Sequence, residues 1–238
     1  MASERALLVI ADIGGYTEYM RTHRMSLAHA EVNTARLLEA IINAAGEFDL
    51  IEIEGDAAFL SLRADHLNDD ATAAAMRRAV TAMHVAFHRE RRYVASVLCP
   101  CDACEQADNL KLKFVAHVGE VATQTIRDRR KLVGIDVILV HRLLKNGVED
   151  PEYVLFSEEL YRTGGSAFDP VRELPQELEG IGAVRTYVAG IERVAGTLPP
   201  LPEPGPLERF GRTLSVATRG LPYMFGLRRT RRATASAR

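Results

Sequence analysis

The sequence predicts an α+β fold, with a ferredoxin-like β-α-β-β-α-β core sheet and helices packed on one side of it. Two observations predict this class. Short runs of apolar or alternating side chains, as in strands, are separated by longer segments whose apolar residues recur at helical spacing. The chain has 238 residues, which is enough to bury one substantial core and leave room for a tail.

The first half of the chain begins the sheet. Residues 7–10 form a fully apolar run, which predicts a buried central strand. Helical periodicity over residues 26–46 follows, and Ser26 is suited to the N-cap position. Residues 48–53 and 57–62 then alternate on either side of a Gly-Asp turn, so we expect two paired strands there.

The second half completes the sheet. Apolar residues at helical spacing predict a long helix over residues 69–92. A strand is expected over residues 110–121 and an apolar helix over residues 132–144. The short apolar runs at residues 153–156 and 184–188 predict the remaining strands.

The composition of the chain predicts three parts. Residues 1–196 hold the whole α+β pattern and are expected to form one domain. Residues 197–206 are expected to form a semi-rigid linker, because the stretch 198–206 holds five of the ten prolines. Residues 207–238 carry eight arginines and a single acidic residue, Glu208, which indicates a separate basic tail.

Two interpretations of this tail stay open. Its apolar residues recur at helical spacing among the arginines, and such a segment can lie on an anionic membrane surface. Its glycines and Pro222 would interrupt a long helix, which favours a disordered tail instead. The apolar series consists of Phe210, Leu214, Ala217 and Leu221.

Charge and hydropathy exclude several classes of protein. The formal net charge is -2, so the whole molecule gives no electrostatic reason to expect a nucleic-acid partner. No apolar run is long enough to span a bilayer, and the N-terminal residues lack the profile of a secretion signal. We therefore expect a cytoplasmic location, or a peripheral membrane location if the tail binds lipid.

Two aspartates that lie beside glycines predict a metal site. Asp12 follows the first strand and precedes a glycine pair, and Asp56 follows Gly55 in the predicted turn. A carboxylate next to backbone that can approach closely suits a hard divalent cation carrying a phosphate. Two such carboxylates near one another would favour a cation between them.

The strand before this turn has alternating side chains. Glu52, Glu54 and Asp56 are expected on one face, and Ile51 and Ile53 on the other. The acidic pattern alone also fits a solvated hairpin without a ligand, and this alternative stays open.

The motifs around these aspartates resemble class III adenylate/guanylate (nucleotidyl) cyclase catalytic domains. The first metal aspartate of that family lies in a D-I-x-G-[FY]-T run, and this chain has Asp-Ile-Gly-Gly-Tyr-Thr at residues 12–17. The second lies in a G-D turn, as at residues 55–56. Residues 119–121 and 134–142 resemble the later G-E-V and G-x-x-V-N-x-A-x-R segments. The resemblance covers about residues 5–190 and indicates a divergent bacterial branch.

The resemblance implies a homodimer, in which the metal aspartates of one chain face the base and arginine residues of the other. Asp12 and Asp56, together with Ile13, would hold Mg²⁺ or Mn²⁺. Arg142 would contact the reacting phosphate, since its guanidinium stays ionised and can bind two oxygens. The remaining nucleotide-binding residues of the first motif would be Gly14, Gly15, Tyr16 and Thr17.

Two departures from the family pattern predict weak or absent cyclase activity. The family's transition-state asparagine falls at Ile138, which cannot donate a hydrogen bond. The family's phosphate-binding lysine is expected near the final strands, where residues 178–181 offer Glu179 of opposite charge and Arg185 is only a loose substitute. Loss of one preorganised donor costs about 10²–10³ in rate. Arg142 itself could instead be a helix-end arginine that pairs with Glu39 or Glu149.

The residues that would read the base favour guanine. In adenylyl members a lysine and an aspartate contact adenine, and these positions hold Glu52 and Lys131 here. Glutamate can accept from the ring N–H and amino group of guanine, and lysine can donate to O6. Alternatively, Glu52 and Lys131 form a salt bridge with each other and close an unused pocket.

Three cysteines within six residues, Cys99, Cys101 and Cys104, suggest a zinc site, since thiolates suit this ion. A structural zinc site needs a fourth ligand, and the chain has no further cysteine. A reversible Cys101–Cys104 disulfide and plain buried thiols remain alternatives. The histidines that could complete a zinc site are His84, His88 and His117.

Two hypotheses from different classes follow. The first is a divergent nucleotidyl cyclase-like protein that binds a nucleoside triphosphate and a divalent metal with little or no turnover. The second is a regulatory or interaction module that keeps the fold without using nucleotide.

Overall fold

The computed structural model confirms the α+β class and shows a sheet of eight strands among the residues that it describes. Those residues are 3–22, 27–95, 106–164, 168–201, 205–211 and 213–214. The strands are β1 (Ser3–Gly14), β2 (Asp49–Glu54), β3 (Ala57–Arg63), β4 (Lys111–Ile126), β5 (Arg129–Val133), β6 (Tyr153–Ser157), β7 (Arg172–Leu178) and β8 (Gly182–Gly190). The α-helices are α1 (Tyr16–Thr22), α2 (Leu27–Ala44), α3 (Asp69–Ala95), α4 (Ile135–Arg142), α5 (Glu158–Arg162) and α6 (Ile191–Ala195).

The strand order confirms the predicted ferredoxin-like core. The sheet runs β2-β3-β1-β4-β6-β8-β7, and β5 pairs with β4 as a hairpin outside this path. Strand β1 is central, because it pairs antiparallel with β3 on one side and with β4 on the other. Strands β4 and β6 are parallel, so the sheet is mixed.

The two faces of the sheet are covered by different helices. Side chains of β1 alternate, so Leu7 and Val9 join the core under α2 and α3, whereas Leu8 and Ile10 join a second core. Helix α4 packs on this second face through buried side chains such as Val140. The long helices lie on one side as predicted, but the prediction that all helices share that side is wrong for α4.

The helix expected over residues 132–144 begins later than predicted. Leu132 belongs to strand β5, where it pairs with Thr123 of β4. Gly134, with φ at +145°, separates β5 from α4, and the helix begins at Ile135. The apolar run therefore covers the end of a strand and the start of a helix, which periodicity does not distinguish over so few residues.

Elements α1, α5, α6, β5 and β7 were not predicted. Strand β7 carries charged and polar side chains that are mostly exposed, as at Arg172 and Glu173. It also contains Pro175, which a sheet tolerates at its edge, and β7 is the terminal strand beside β8. The sequence signal of such a strand is weak because neither face is strongly apolar.

The far C-terminal region is described only in part. No helix within the described residues is long and apolar enough to cross a membrane. Residues 206–211 and 213–214 are helical, and the side chains of Leu207, Phe210 and Leu214 are exposed. Residues 215–238, on which the rest of the predicted amphipathic series falls, lie outside the described part of the chain. The boundaries at residues 196 and 206 stay predictions.

Candidate nucleotide site

Asp12 and Asp56 lie near each other at the end of β1. Asp12 is opposite Ala57 in the register of β1 and β3, and Asp56 occupies the turn just before Ala57. The backbone N–H of Ile13 donates to the carbonyl oxygen of Asp56 over 3.2 Å, which joins the two motifs. Burial and then the neighbouring Asp12 carboxylate raise the pKa of Asp56. A divalent cation between the two groups would relieve this repulsion.

Lys113 lies beside these aspartates and was missed in the sequence. Its position on β4 is opposite Asp12, and its Nζ lies 2.9 Å from Asp12 Oδ2. Burial acts to lower the pKa of Lys113, but the Asp12 carboxylate, with smaller contributions from Tyr153 and Asp56, raises it overall. The alternating polar positions on β4 were the available signal, yet only the strand register shows which of them faces Asp12.

The turn after β1 brings backbone close to the carboxylates. Gly15 adopts φ of +84°, a conformation that suits glycine, and its carbonyl oxygen accepts from the N–H of Tyr19 over 3.0 Å. Helix α1 therefore begins directly after the glycine pair. Burial and the Asp56 carboxylate raise the pKa of Tyr16, so its ring also lies at this edge. Thr17 is exposed there.

A separate cleft of about 760 Å³ holds the predicted base-binding residues. Glu52 from β2 and Lys131 from β5 both line it, together with Ile138 and Arg142 from α4. Within the described part of the chain, no ion pair joins Glu52 to Lys131. The alternative in which these two side chains close an unused pocket is therefore not the arrangement observed.

A β-bulge changes one predicted side-chain direction at this cleft. The register between β2 and β3 shifts between Leu50 and Glu52, so Ile51 is the extra residue. Ile51 lines the cleft with Glu52 instead of pointing to the opposite face. Ile53 follows the predicted alternation and does not line the cleft, and 49% of its surface is exposed.

His141 contributes to the same cleft. Its Nδ1 lies 3.3 Å from Glu54 Oε2. Its ring packs edge-on against Phe59, with centroids 4.7 Å apart. The cleft is thus lined by aromatic and apolar side chains together with acidic and basic groups, a combination found in small-molecule sites.

Arg142 pairs with a different carboxylate from those expected. Its Nη1 lies 3.1 Å from Oε2 of Glu179, rather than near Glu39 or Glu149. Glu179 is 92% exposed, and an exposed ion pair contributes at most about 1 kcal/mol. A phosphate could therefore displace Glu179 from Arg142 at small cost.

The helix that carries Arg142 is fixed by a close contact with β4. A Cβ atom on Gly119 would lie 2.4 Å from Oδ2 of Asp136, so only glycine fits there. Asp136 accepts from the backbone N–H of Glu120 over 2.7 Å and lies 3.1 Å from His117 Nε2. His117 Nδ1 is 2.7 Å from Ser157 Oγ, so His117 belongs to this buried cluster and not with His84 and His88.

The predicted site residues therefore fall into two groups. The first group, called the acidic edge, consists of the carboxylates of Asp12 and Asp56 and the ammonium group of Lys113. None of these three residues lines the cleft. Glu52 and Arg142 lie in the cleft. The predicted zinc ligands Cys99, Cys101 and Cys104 lie outside the described residues.

The fold is that of class III nucleotidyl cyclase domains. The guanylate cyclase domain of RhGC from Catenaria anguillulae, solved in complex with GTP, superimposes with a TM-score of 0.57 at 18% identity, over 79% of this chain and 97% of that domain. The adenylyl cyclase CyaB from P. aeruginosa superimposes with a TM-score of 0.52 at 15% identity, over 79% of this chain and 94% of CyaB. The non-canonical dimeric guanylyl cyclase domain of RhoGC from Blastocladiella emersonii superimposes with a TM-score of 0.53 at 16% identity, over 79% of this chain and 98% of that domain.

The particular family is defined by sequence. Residues 34–153 match the family described as protein of unknown function DUF2652, and the chain belongs to it. The uncharacterized protein Rv2561/Rv2562 of Mycobacterium tuberculosis is 33% identical over 198 residues, which is 82% of this chain and 90% of that protein. The expected cyclase-like fold is confirmed by the solved structures.

Proposed function

We propose that this protein binds a nucleoside triphosphate, preferably GTP, together with Mg²⁺ or Mn²⁺, and that it cyclises the nucleotide slowly or not at all. The observation that carries the proposal is the open cleft that brings Glu52, Lys131 and Arg142 together on a cyclase fold. The cyclase domain from Catenaria anguillulae was solved with GTP. The chain would belong to a divergent branch of the nucleotidyl cyclases. Its mycobacterial relative supports the expectation that this branch is bacterial.

The acidic edge fits a hard divalent cation. Asp12 and Asp56 supply carboxylate oxygens near a glycine turn, and the backbone of Ile13 is joined to Asp56 at the same point. The metal, when bound, would neutralise phosphate charge and align the triphosphate. With a metal on Asp12, the ammonium group of Lys113 would be available to pair with a phosphate oxygen.

The phosphates would be held by cations and backbone from both groups. Lys113 would contact them beside the metal, and Arg142 would exchange Glu179 for a phosphate oxygen. The turn formed by Gly14, Gly15, Tyr16 and Thr17 would let the backbone approach the triphosphate closely. An arginine that binds two phosphate oxygens at once forms a stronger interaction than an exposed ion pair with one carboxylate.

The separation of the two groups supports a homodimer. The acidic edge of one chain would complete the cleft of the other, as the resemblance implies. Leu50 and Ile53 of β2 are large apolar residues that are 42% and 49% exposed near the cleft, which suits a surface that a second copy covers. One of the solved relatives is a dimeric guanylyl cyclase domain.

The same cleft explains why turnover would be slow. Ile138 is 48% exposed and lines the cleft at the position of the family's asparagine, where it can donate no hydrogen bond. Glu179 also lines the cleft and holds a negative charge at the position of the family's lysine. Both changes remove stabilisation of a reacting phosphate while they leave the base pocket intact.

Guanine preference gives the test of binding. Titration calorimetry with non-cyclisable triphosphate analogues and Mg²⁺ should show tighter binding of the GTP analogue than of the ATP analogue. Glu52→Lys should reduce this preference by about 1–3 kcal/mol, because it leaves guanine donors unpaired. Glu173→Lys is the control with the same change of charge, since Glu173 is exposed on β7 and does not line the cleft. Tighter binding of ATP by the unmutated protein would contradict the guanine assignment.

The alternative function is a regulatory or interaction module. This alternative is favoured by three exposed apolar side chains, which suit a surface that binds a partner: Leu207, Phe210 and Leu214. Its attachment to an anionic membrane, and a cytoplasmic location for the whole protein, stay predictions. The absence of any calorimetric signal with all four triphosphates would favour this module.

A further inference from the structure

A second cluster of metal-ligating side chains lies on the opposite face of the sheet from Asp12. His84 and His88 are four residues apart on α3, so they share one face of the helix. Both are buried, with relative exposures of 4% and 6%. Glu152, just before β6, approaches them from the sheet. Sequence reasoning placed the two histidines as candidate zinc ligands but missed Glu152.

The three side chains converge on one point. His88 Nε2 lies 2.9 Å from Glu152 Oε1, and His84 Nε2 lies 3.5 Å from Oε2. One ligand atom from each of the three residues lies within 4.8 Å of the others. The imidazole rings are T-shaped with centroids 4.4 Å apart, so the two nitrogens face a common carboxylate without the rings stacking.

A backbone hydrogen bond orients the Glu152 carboxylate. The backbone N–H of Leu112 donates to Glu152 Oε1 over 2.9 Å, which fixes this side chain at the start of β4. Metal-ligating carboxylates and histidines are commonly held by such outer hydrogen bonds, which set ligand geometry. The cluster therefore joins α3 to the ends of β4 and β6.

We propose that His84, His88 and Glu152 bind a divalent transition metal, with zinc as the best match. Two imidazole nitrogens and one carboxylate are a recognised zinc set, and three protein ligands leave a fourth position for water. The acidic edge at Asp12 and Asp56 offers oxygen ligands instead and suits a harder ion. This inference is independent of the proposed nucleotide function.

The test is zinc binding by the full-length protein without a histidine tag, which is first stripped of metal with a chelator, then incubated with zinc and freed of unbound metal by gel filtration. Metal analysis should show about one zinc per chain, and competition with a chelating dye should give its affinity. Glu152→Gln keeps the size of the side chain and its acceptor for Leu112, yet it removes the charged ligand. Loss of a metal ligand should weaken the affinity for zinc at least as much as loss of a hydrogen-bond partner of a ligand does. That loss costs about 10–100-fold. His88→Asn should do the same.

The control is His66→Asn, since His66 is exposed and belongs to neither site, and it should leave zinc binding unchanged. Circular dichroism checks that each variant is folded, and the cobalt(II) spectrum of the unmutated protein gives a second readout. Nitrogen and oxygen coordination should appear in its visible bands without thiolate charge transfer. Replacement of Cys99, Cys101 and Cys104 by serine should leave the zinc stoichiometry unchanged.

Two results would overturn the proposal. One is less than about a tenth of an equivalent of zinc in the unmutated protein. The other is zinc binding that survives Glu152→Gln and His88→Asn but disappears in the triple serine variant, which would assign the metal to the cysteines. Either result leaves GTP binding untouched, so it can be told apart from failure of the nucleotide proposal.

Discussion

A chain that carries both Ile138→Asn and Glu179→Lys should cyclise GTP at least about 10²-fold faster than the unmutated protein. The asparagine would restore a hydrogen-bond donor on the cleft face of α4, where Ile138 is half exposed. The lysine would replace a carboxylate that now occupies Arg142 and would free this guanidinium for phosphate. Each missing donor is expected to account for about 10²–10³ in rate.

Mass spectrometry of the products formed with Mn²⁺ measures this gain directly. The matched control is Ile126→Asn with Glu173→Lys, because both side chains are exposed and neither lines the cleft. This control should keep the unmutated rate. If the restored chain binds GTP normally but forms no more cyclic product than the control, the two departures are not what limits turnover.

The second large effect concerns Lys113. Lys113→Met should weaken binding of the metal–GTP complex by about 10-fold or more, since a hydrogen bond to a charged group contributes about 1.5–3 kcal/mol. It should at the same time strengthen binding of Mn²⁺ alone, because Asp12 loses the ammonium group that competes with the metal. A residue that served only the fold would not move these two affinities in opposite directions.

Two further variants complete that test. Lys113→Arg keeps the positive charge and should retain most of the affinity for the metal–GTP complex. Asp56→Asn should lose metal-dependent GTP binding, since it removes one of the two carboxylates at the edge. Thermal unfolding shows whether each variant remains folded. Equal affinity of Lys113→Met and the unmutated chain for the complex would show that Lys113 does not contact phosphate.

The local sequence predicted most of the core because its strong signals agree. The Gly55-Asp56 hairpin and the long amphipathic α3 occur close to their predicted bounds, and the buried run at residues 7–10 lies in β1, which extends further to Ser3–Gly14. Helix α4 was predicted on the wrong face because its packing involves residues from other elements, such as the close contact of Asp136 with Gly119. That contact joins residues that are far apart in the chain and has no local pattern.

The same limit applies to the sites. Both aspartate motifs were found because each is local, and the structure brings them together at one edge. The partners Lys113, Glu179 and Glu152 were missed or misjudged because each acts through strand register or loop packing. A charged residue shows its partner in the sequence only when both lie in one element.

The central claim is that the protein holds GTP and a divalent metal with little turnover. Equilibrium dialysis of the full-length protein against GTP, with and without Mn²⁺, tests it most directly when the bound nucleotide is recovered and identified by mass spectrometry. We predict metal-dependent binding of GTP and its recovery largely as intact triphosphate. Recovery of no bound nucleotide, or its rapid conversion to the cyclic product, would contradict the account.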